Sequence, residues 1–231
     1  MAKILAIDSS SKLCAVGLLN GDAVTSYQSP TQKAAAQSLL PLIQRLLSEA
    51  TLSIRDLDAI AVRAGPGSFT GIRIGVGIAQ GLSEANSTPV LPISSLAHLA
   101  WEAFLQHACA HVRVAIHARE SEFYYGLFEV SLGCGVKLLG QEQVGTVHTL
   151  SAAVLQGPAE LNRKEWAAVG DAWDRIADLH ETLAAPALAV SANNSTADSL
   201  CELAAIQFKA GEHRGSALPL PNYVKEHMDY R

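Results

Sequence analysis

The stretch GPGSFTGIRIGVGIAQG, residues 65–81, follows the apolar run AIAVR at 59–63 and decides how the first half of the chain is read. Gly65-Pro66-Gly67 reads as a turn, because glycine reaches backbone angles closed to other residues and proline fixes its own φ. Ser68 is placed to cap the amides of a helix running to about Glu84. Inside that helix stand Gly71, Gly75, Gly77 and Gly81, each costing about 0.8–1 kcal/mol of helix propensity relative to alanine. Gly71 and Gly75 continue the four-residue step begun at Gly67, and Gly77 with Gly81 makes a second such pair. Both pairs clear side chains from a helical ridge and let another element approach closely. A glycine turn before a helix can also seat an anion on its free amides. No Lys-Ser or Lys-Thr follows the glycines, the spacing is not that of a P-loop, and the stretch does not lie in an opening βαβ unit as a dinucleotide fingerprint would. Close packing, within the chain or between subunits, is the favoured reading.

Upstream, residues 4–7 read as a buried strand ending at Asp8, followed by strands over 13–19 and 24–28 joined by the hairpin signal Asn20-Gly21. Leu39, Leu40, Ile43, Leu46 and Leu47 mark an amphipathic helix, in which Pro41 requires either a first-turn position or a kink. Downstream, a short strand at 89–91 precedes a helix capped by Ser94 or Ser95 and running towards Gln106. A second antiparallel meander is expected over 112–116, 123–130 and 136–139. After it come a short helix at 149–156, strands at 166–169 and 187–190, and a last helix at 196–209. The pattern repeats itself, which predicts two related α/β lobes, 1–108 and a smaller or more divergent 109–231.

The chain has 231 residues, 49% of them apolar and only 17% charged, against roughly 25% charged in an average globular domain. So uncharged a surface suggests a protein partner. A net charge of -5 argues against unaided binding of nucleic acid, where Lys and Arg neutralise phosphates. Cys14, Cys109, Cys134 and Cys201 are scattered without a CxxC pair, so mostly buried, reduced thiols are expected. The N-terminal apolar run is broken early by Asp8, and no run approaches the ~20 residues of a membrane span; a cytoplasmic location is expected. His107 and His111 stand four apart but on either side of an expected helix end, so no metal site is anticipated. Ser9, Ser10, Ser68 and Ser94 lie in no GxSxG elbow. Asp8 reads as a carboxylate organising its turn through backbone amides. Arg119, Glu120, Glu122, Tyr124 and Tyr125 form a polar and aromatic cluster that suits either a solvated strand entrance or a ligand surface.

Three segments, ILAIDSSSKLCAVGLL at 4–19, DLDAIAVRAGPGSFTGIRIGVGIAQGL at 56–82 and PVLPISSLAHLA at 89–100, resemble the TsaB family, formerly called YeaZ. VAIHARESEFYYGLF at 114–128 is similar to that family's "DAR…E-Y" strand pair, and PNYVKE at 221–226 to its closing "P-YLR" segment. The resemblance implies an α/β, two-lobed actin/Hsp70-like (ASKHA) fold with duplicated ribonuclease H-like cores. It further implies a non-catalytic scaffold and dimerisation partner of TsaD, acting with the ATPase TsaE in making N6-threonylcarbamoyladenosine on tRNA. In the family's scheme TsaC makes threonylcarbamoyl-adenylate and TsaD carries out the transfer, so this chain meets tRNA indirectly, through the complex. When alone, such a chain is expected to close a homodimer.

Departures from the catalytic relatives fit that division. Those relatives carry an HxxxH metal pair on the matching elements, whereas here the pair of that spacing, His107 and His111, is split by the helix end. Ser10 stands where a full DxGT phosphate loop has glycine, so Asp8, Ser9 and Ser10 would line a vestigial ligand cleft. Alanines fill 34–36, where members often carry a histidine, and His117 replaces the aspartate of DAR. No cofactor, metal or catalytic residue is implied. The interface with TsaD is expected at Leu39, Ile43, Leu46, Gly71, Ile72, Gly75, Ile78 and Gly81. An ATP-using or metal-dependent enzyme of the same superfamily is the alternative.

Overall fold

The computed structural model describes residues 2–10, 14–29, 35–150, 155, 166–176, 178–179, 188–190, 196–211, 221, 222 and 224. Strands β1 (Lys3–Asp8), β2 (Ala15–Asn20) and β3 (Ala23–Gln28) form the opening meander. Asn20 pairs with Ala23, so the tight turn is Gly21-Asp22, with Gly21 at φ +69°, one residue beyond the expected Asn20-Gly21. Helix α1 (Ala35–Glu49) leads to β4 (Ala59–Gly65), α2 (Phe69–Asn86), β5 (Val90–Ser94) and α3 (Ser95–His107). Pro41 lies within α1, beyond its first turn and on its exposed side. The bond it cannot donate would go to the carbonyl of Gln37, itself exposed, so water can take the place of the missing donor.

The first sheet has the order β3-β2-β1-β4-β5. Its meander is antiparallel, while β4 runs parallel to β1 and β5 parallel to β4. Both faces are covered, which is why β1 and β4 read as continuous apolar runs. On one face Leu5, Ile7, Val16, Leu18, Ile60 and Val62 pack with Leu39, Ile43, Leu46, Ile72, Val76 and Ala79 of α1 and α2. The other carries the last helix, here α5 (Ala197–Ala210), which packs along β1 and β2. Gly17 permits that approach: a Cβ there would lie 2.8 Å from Cys201 Sγ and 2.9 Å from the Ala197 carbonyl oxygen.

The second sheet is built from β6 (His111–His117), β7 (Phe123–Ser131), β8 (Gly135–Leu138), β9 (Gln143–Gly145), β10 (Ala167–Val169) and β11 (Leu188–Val190), with the four-residue α4 (Ala172–Arg175) after β10. Its order is β11-β10-β6-β7-β8, and β9 pairs with the start of β7. Again two antiparallel pairings lead into two parallel ones, so it repeats the first sheet strand for strand. Phe123, Tyr125, Leu127, Trp166 and Trp173 lead its core. β9 and α4 were not foreseen. Most of the helix expected over 149–156 lies outside the described residues.

Contacts group β1–β5 with α5 and Asn222, and residues from Leu99 with the second sheet. The break thus falls inside α3 rather than at 108, and the expected lobe 109–231 yields its last helix to the first unit. The cause is apolar: Ala197, Leu200, Cys201, Leu203 and Ala204 of α5 are buried, and the face of the first sheet opposite α1 and α2 needs that cover.

Candidate functional site

The turn between β1 and β2 meets the turn between β4 and α2. Ser68 caps α2 as expected, its Oγ accepting from the Gly71 amide at 3.3 Å, while the Ser68 amide donates to the Ser10 carbonyl at 3.0 Å. Ser9 Oγ donates to the Gly71 carbonyl at 2.7 Å. Gly71 and Gly75 exist for this approach. A Cβ on Gly71 would drive into the Ser9 carbonyl, and one on Gly75 would stand 2.5 Å from Ser9 Oγ. The amides of Ser68, Gly71 and Ile72 are engaged within the protein, which weakens the anion-seat reading of this helix start.

Beneath the turn lies a line of buried polar groups. Asp8, 2% exposed, accepts from the Ser10 amide and hydroxyl, each at 2.8 Å, through Oδ1. Its Oδ2 takes the Arg63 guanidinium at 3.0 Å. Burial by itself would raise the Asp8 pKa, but Arg63, then the neighbouring His98, then the Ser10 bonds outweigh it and hold the carboxyl below its usual range. Burial, and next Arg63, push His98 down to about 3 against the pull of Asp8, so this imidazole is neutral. Its Nε2 lies 2.8 Å from Ser199 Oγ, at the start of α5. An Asp8 paired to an arginine and bonded to the Ser10 amide and hydroxyl organises the polar groups at the end of β1. Asp8, Ser9 and Ser10, expected to line a ligand cleft, are bonded within the protein, Asp8 to Ser10 and Arg63 and Ser9 to Gly71.

Sequence reading missed Arg63 and His98. The available signal was a lone arginine in an otherwise apolar, buried strand, which demands a carboxylate partner.

Most of the residues expected at a partner interface are interior. Leu39, Ile43, Leu46 and Ile72 are at most 6% exposed, and Gly71 and Gly75 face Ser9. They serve the packing of α1 and α2 on their own sheet, so the apolar stripe of α1 points inward. Ile78 is half-buried and Gly81 exposed. The outward stripe of α2 consists instead of Phe69, Thr70, Arg73, Gly77, Gly81 and Glu84. Arg73 stacks 3.5 Å over the Phe69 ring, and on α1 Leu40 is 51% exposed.

In the second unit the matching turn is built differently. Asp171 Oδ1 accepts from the His117 amide at 2.9 Å, and His117 Nε2 lies 3.0 Å from the Glu120 carbonyl. Arg119 pairs with Glu122 at 3.0 Å on the surface. Tyr125 leaves that cluster for the core, where its hydroxyl donates to the Leu155 carbonyl at 2.6 Å and burial pushes its pKa up.

Two sheets of identical strand order, each a meander continued by parallel strands, define an α/β protein with duplicated ribonuclease H-like sheets. A family model described as "TsaD: tRNA N6-adenosine threonylcarbamoyltransferase" matches residues 28–219. The tRNA threonylcarbamoyladenosine biosynthesis protein TsaB of Escherichia coli K12 is 31% identical over 183 residues, covering 77% of this chain and 74% of that protein. Its namesake in Haemophilus influenzae is 41% identical over 122 residues, and there the chain spans about half the relative's length, 52%. The solved structure of YeaZ from Pseudomonas aeruginosa superposes with a TM-score of 0.83 at 32% identity, covering 96% of this chain and all of that one. The chain belongs to the TsaB (YeaZ) family.

Proposed function

We propose that this chain is a non-catalytic scaffold and dimerisation partner of TsaD in the biosynthesis of N6-threonylcarbamoyladenosine on tRNA, with TsaE joining the same complex in the cytoplasm. The observation that carries the reading is the engagement of Asp8, Ser9 and Ser10, at the end of β1, within the protein. The aspartate that would face a nucleotide is locked to Arg63, and the serines beside it are bonded into the turn. What the chain offers outward is a helix surface. Phe69, Gly77, Gly81 and the half-buried Ile74 and Ile78 on α2, with Leu40 and Pro41 on α1, supply apolar area with little side-chain bulk, which suits docking of another helix. In the absence of TsaD the same surface would pair two copies of this chain. The acidic net charge suits a subunit that reaches tRNA only through its partners.

Reconstitution of the modification from purified components tests this. Transfer is expected to require the chain, and the chain is expected to co-elute with TsaD. Full transfer in its absence would remove the scaffold role, and ATP turnover by the chain alone would favour the enzymatic alternative.

A further inference from the structure

Pro221 and Asn222, the first two residues of PNYVKE at 221–226, sit beside the end of β4. Strand β4 outruns its pairing with β1 at its C-terminal end. Its pairing with β1 stops at Val62, and its register with β5 jumps from Arg63 opposite Ile93 to Gly65 opposite Ser94. Ala64 lies in that irregularity and is 2% exposed, so its carbonyl needs a donor from elsewhere. The Asn222 amide supplies it, at 2.8 Å. The Asn222 carbonyl oxygen lies 3.4 Å from the position a Cβ on Gly65 would take, and Ile72 Cδ1 of α2 lies 2.8 Å from the same point. Gly65, at φ +106°, is thus held between the chain's C-terminal segment and the first turn of α2.

We propose that Pro221–Asn222 is a positioning clamp: it fixes the turn from which α2 departs, and through Gly65 and Ile72 it sets the orientation of the helix whose outer stripe meets the partner. The coupling to a partner rests on the function proposed above, whereas the clamp itself does not. Three variants separate the possibilities. Asn222→Pro removes the amide donor, a chain stopped after Leu220 removes the whole segment, and Asn222→Ala keeps the backbone bond.

Amide hydrogen exchange of the isolated protein reads the clamp. Asn222→Pro and the shortened chain are expected to exchange about fivefold faster over residues 65–76, the size of one lost backbone hydrogen bond, with Asn222→Ala matching the parent. Titration with TsaD reads the coupling: affinity is expected to fall about fivefold in the same two variants and not in Asn222→Ala. Unchanged exchange in Asn222→Pro, or an equal change in Asn222→Ala, overturns the clamp. Faster exchange with unchanged affinity overturns the coupling. A parent chain that does not bind TsaD removes the partner reading alone and leaves the clamp to the exchange result.

Discussion

The two glycine pairs of α2 share one spacing and have opposite surroundings. At Gly71 and Gly75 a methyl group would collide with Ser9, whereas around Gly77 and Gly81 nothing lies within 4 Å. The first pair answers to the fold of a single chain, because the turn after β1 must press onto the helix. The second pair has no such reason inside the described protein, and under the docking proposed above its cost in helix propensity would be offset at the outer surface. A repeated glycine spacing on a helix therefore does not by itself report that bulk is excluded: within this chain it is at the first pair and not at the second.

Substitutions along this line should separate the two halves. The largest effect is expected for Asp8→Ala, which strands the Arg63 guanidinium in the interior beneath the first pair and should lower unfolding stability in urea by about 3–5 kcal/mol. Gly71→Ala comes next, at about 3 kcal/mol, since the obstruction is backbone, with Gly75→Ala nearer 1 kcal/mol because a serine hydroxyl can turn aside. If Gly71→Ala proved as stable as the parent, the contrast between the pairs would collapse.

Acid should act on the buried side alone. Between the ordinary histidine value of 6.5 and about 3, the unfolded chain binds a proton at His98 that the folded chain refuses. Stability should therefore fall as pH falls through this window, by about 1.4 kcal/mol for each pH unit. Denaturation midpoints collected from pH 7 to pH 4 should show a shallower slope in His98→Gln. The depressed Asp8 pKa acts in the same sense, its stabilisation present above the ordinary value of 3.8 and lost at lower pH. The smallest expected change has the opposite sign: Gly77→Ala should stabilise the helix by up to about 1 kcal/mol. Gly77→Leu should keep the fold but weaken elution with TsaD, and an undiminished complex would take the second pair out of the interface.

The duplicated architecture was legible because hydrophobic period and turn residues are local signals. The Asn20-Gly21 region, the Ser68 cap, the Ser94 cap of α3, whose Oγ accepts from the Leu96 and Ala97 amides, and the alternation of strands and helices all announce themselves within a few residues. The direction in which a helix faces is not local. Leu39, Ile43 and Leu46 mark an apolar stripe equally well whether it meets a sheet of the same chain or another subunit, and only the sheet's position settles which. The same holds for Asp8, whose partner Arg63 stands 55 residues away along the chain. Nor could the ownership of α5 be read from its order in sequence, since the space it fills is prepared by Gly17, far upstream.

That helix has a consequence for how the protein is made. The strands of the first sheet are all synthesised by Ser94, but the helix that covers one of its faces begins at Ala197. At the usual rates of translation about 5–20 s pass before it emerges. Throughout that interval the nascent chain exposes a sheet face it cannot yet bury, so the first unit is born a candidate for chaperone capture and finishes folding only when α5 has emerged.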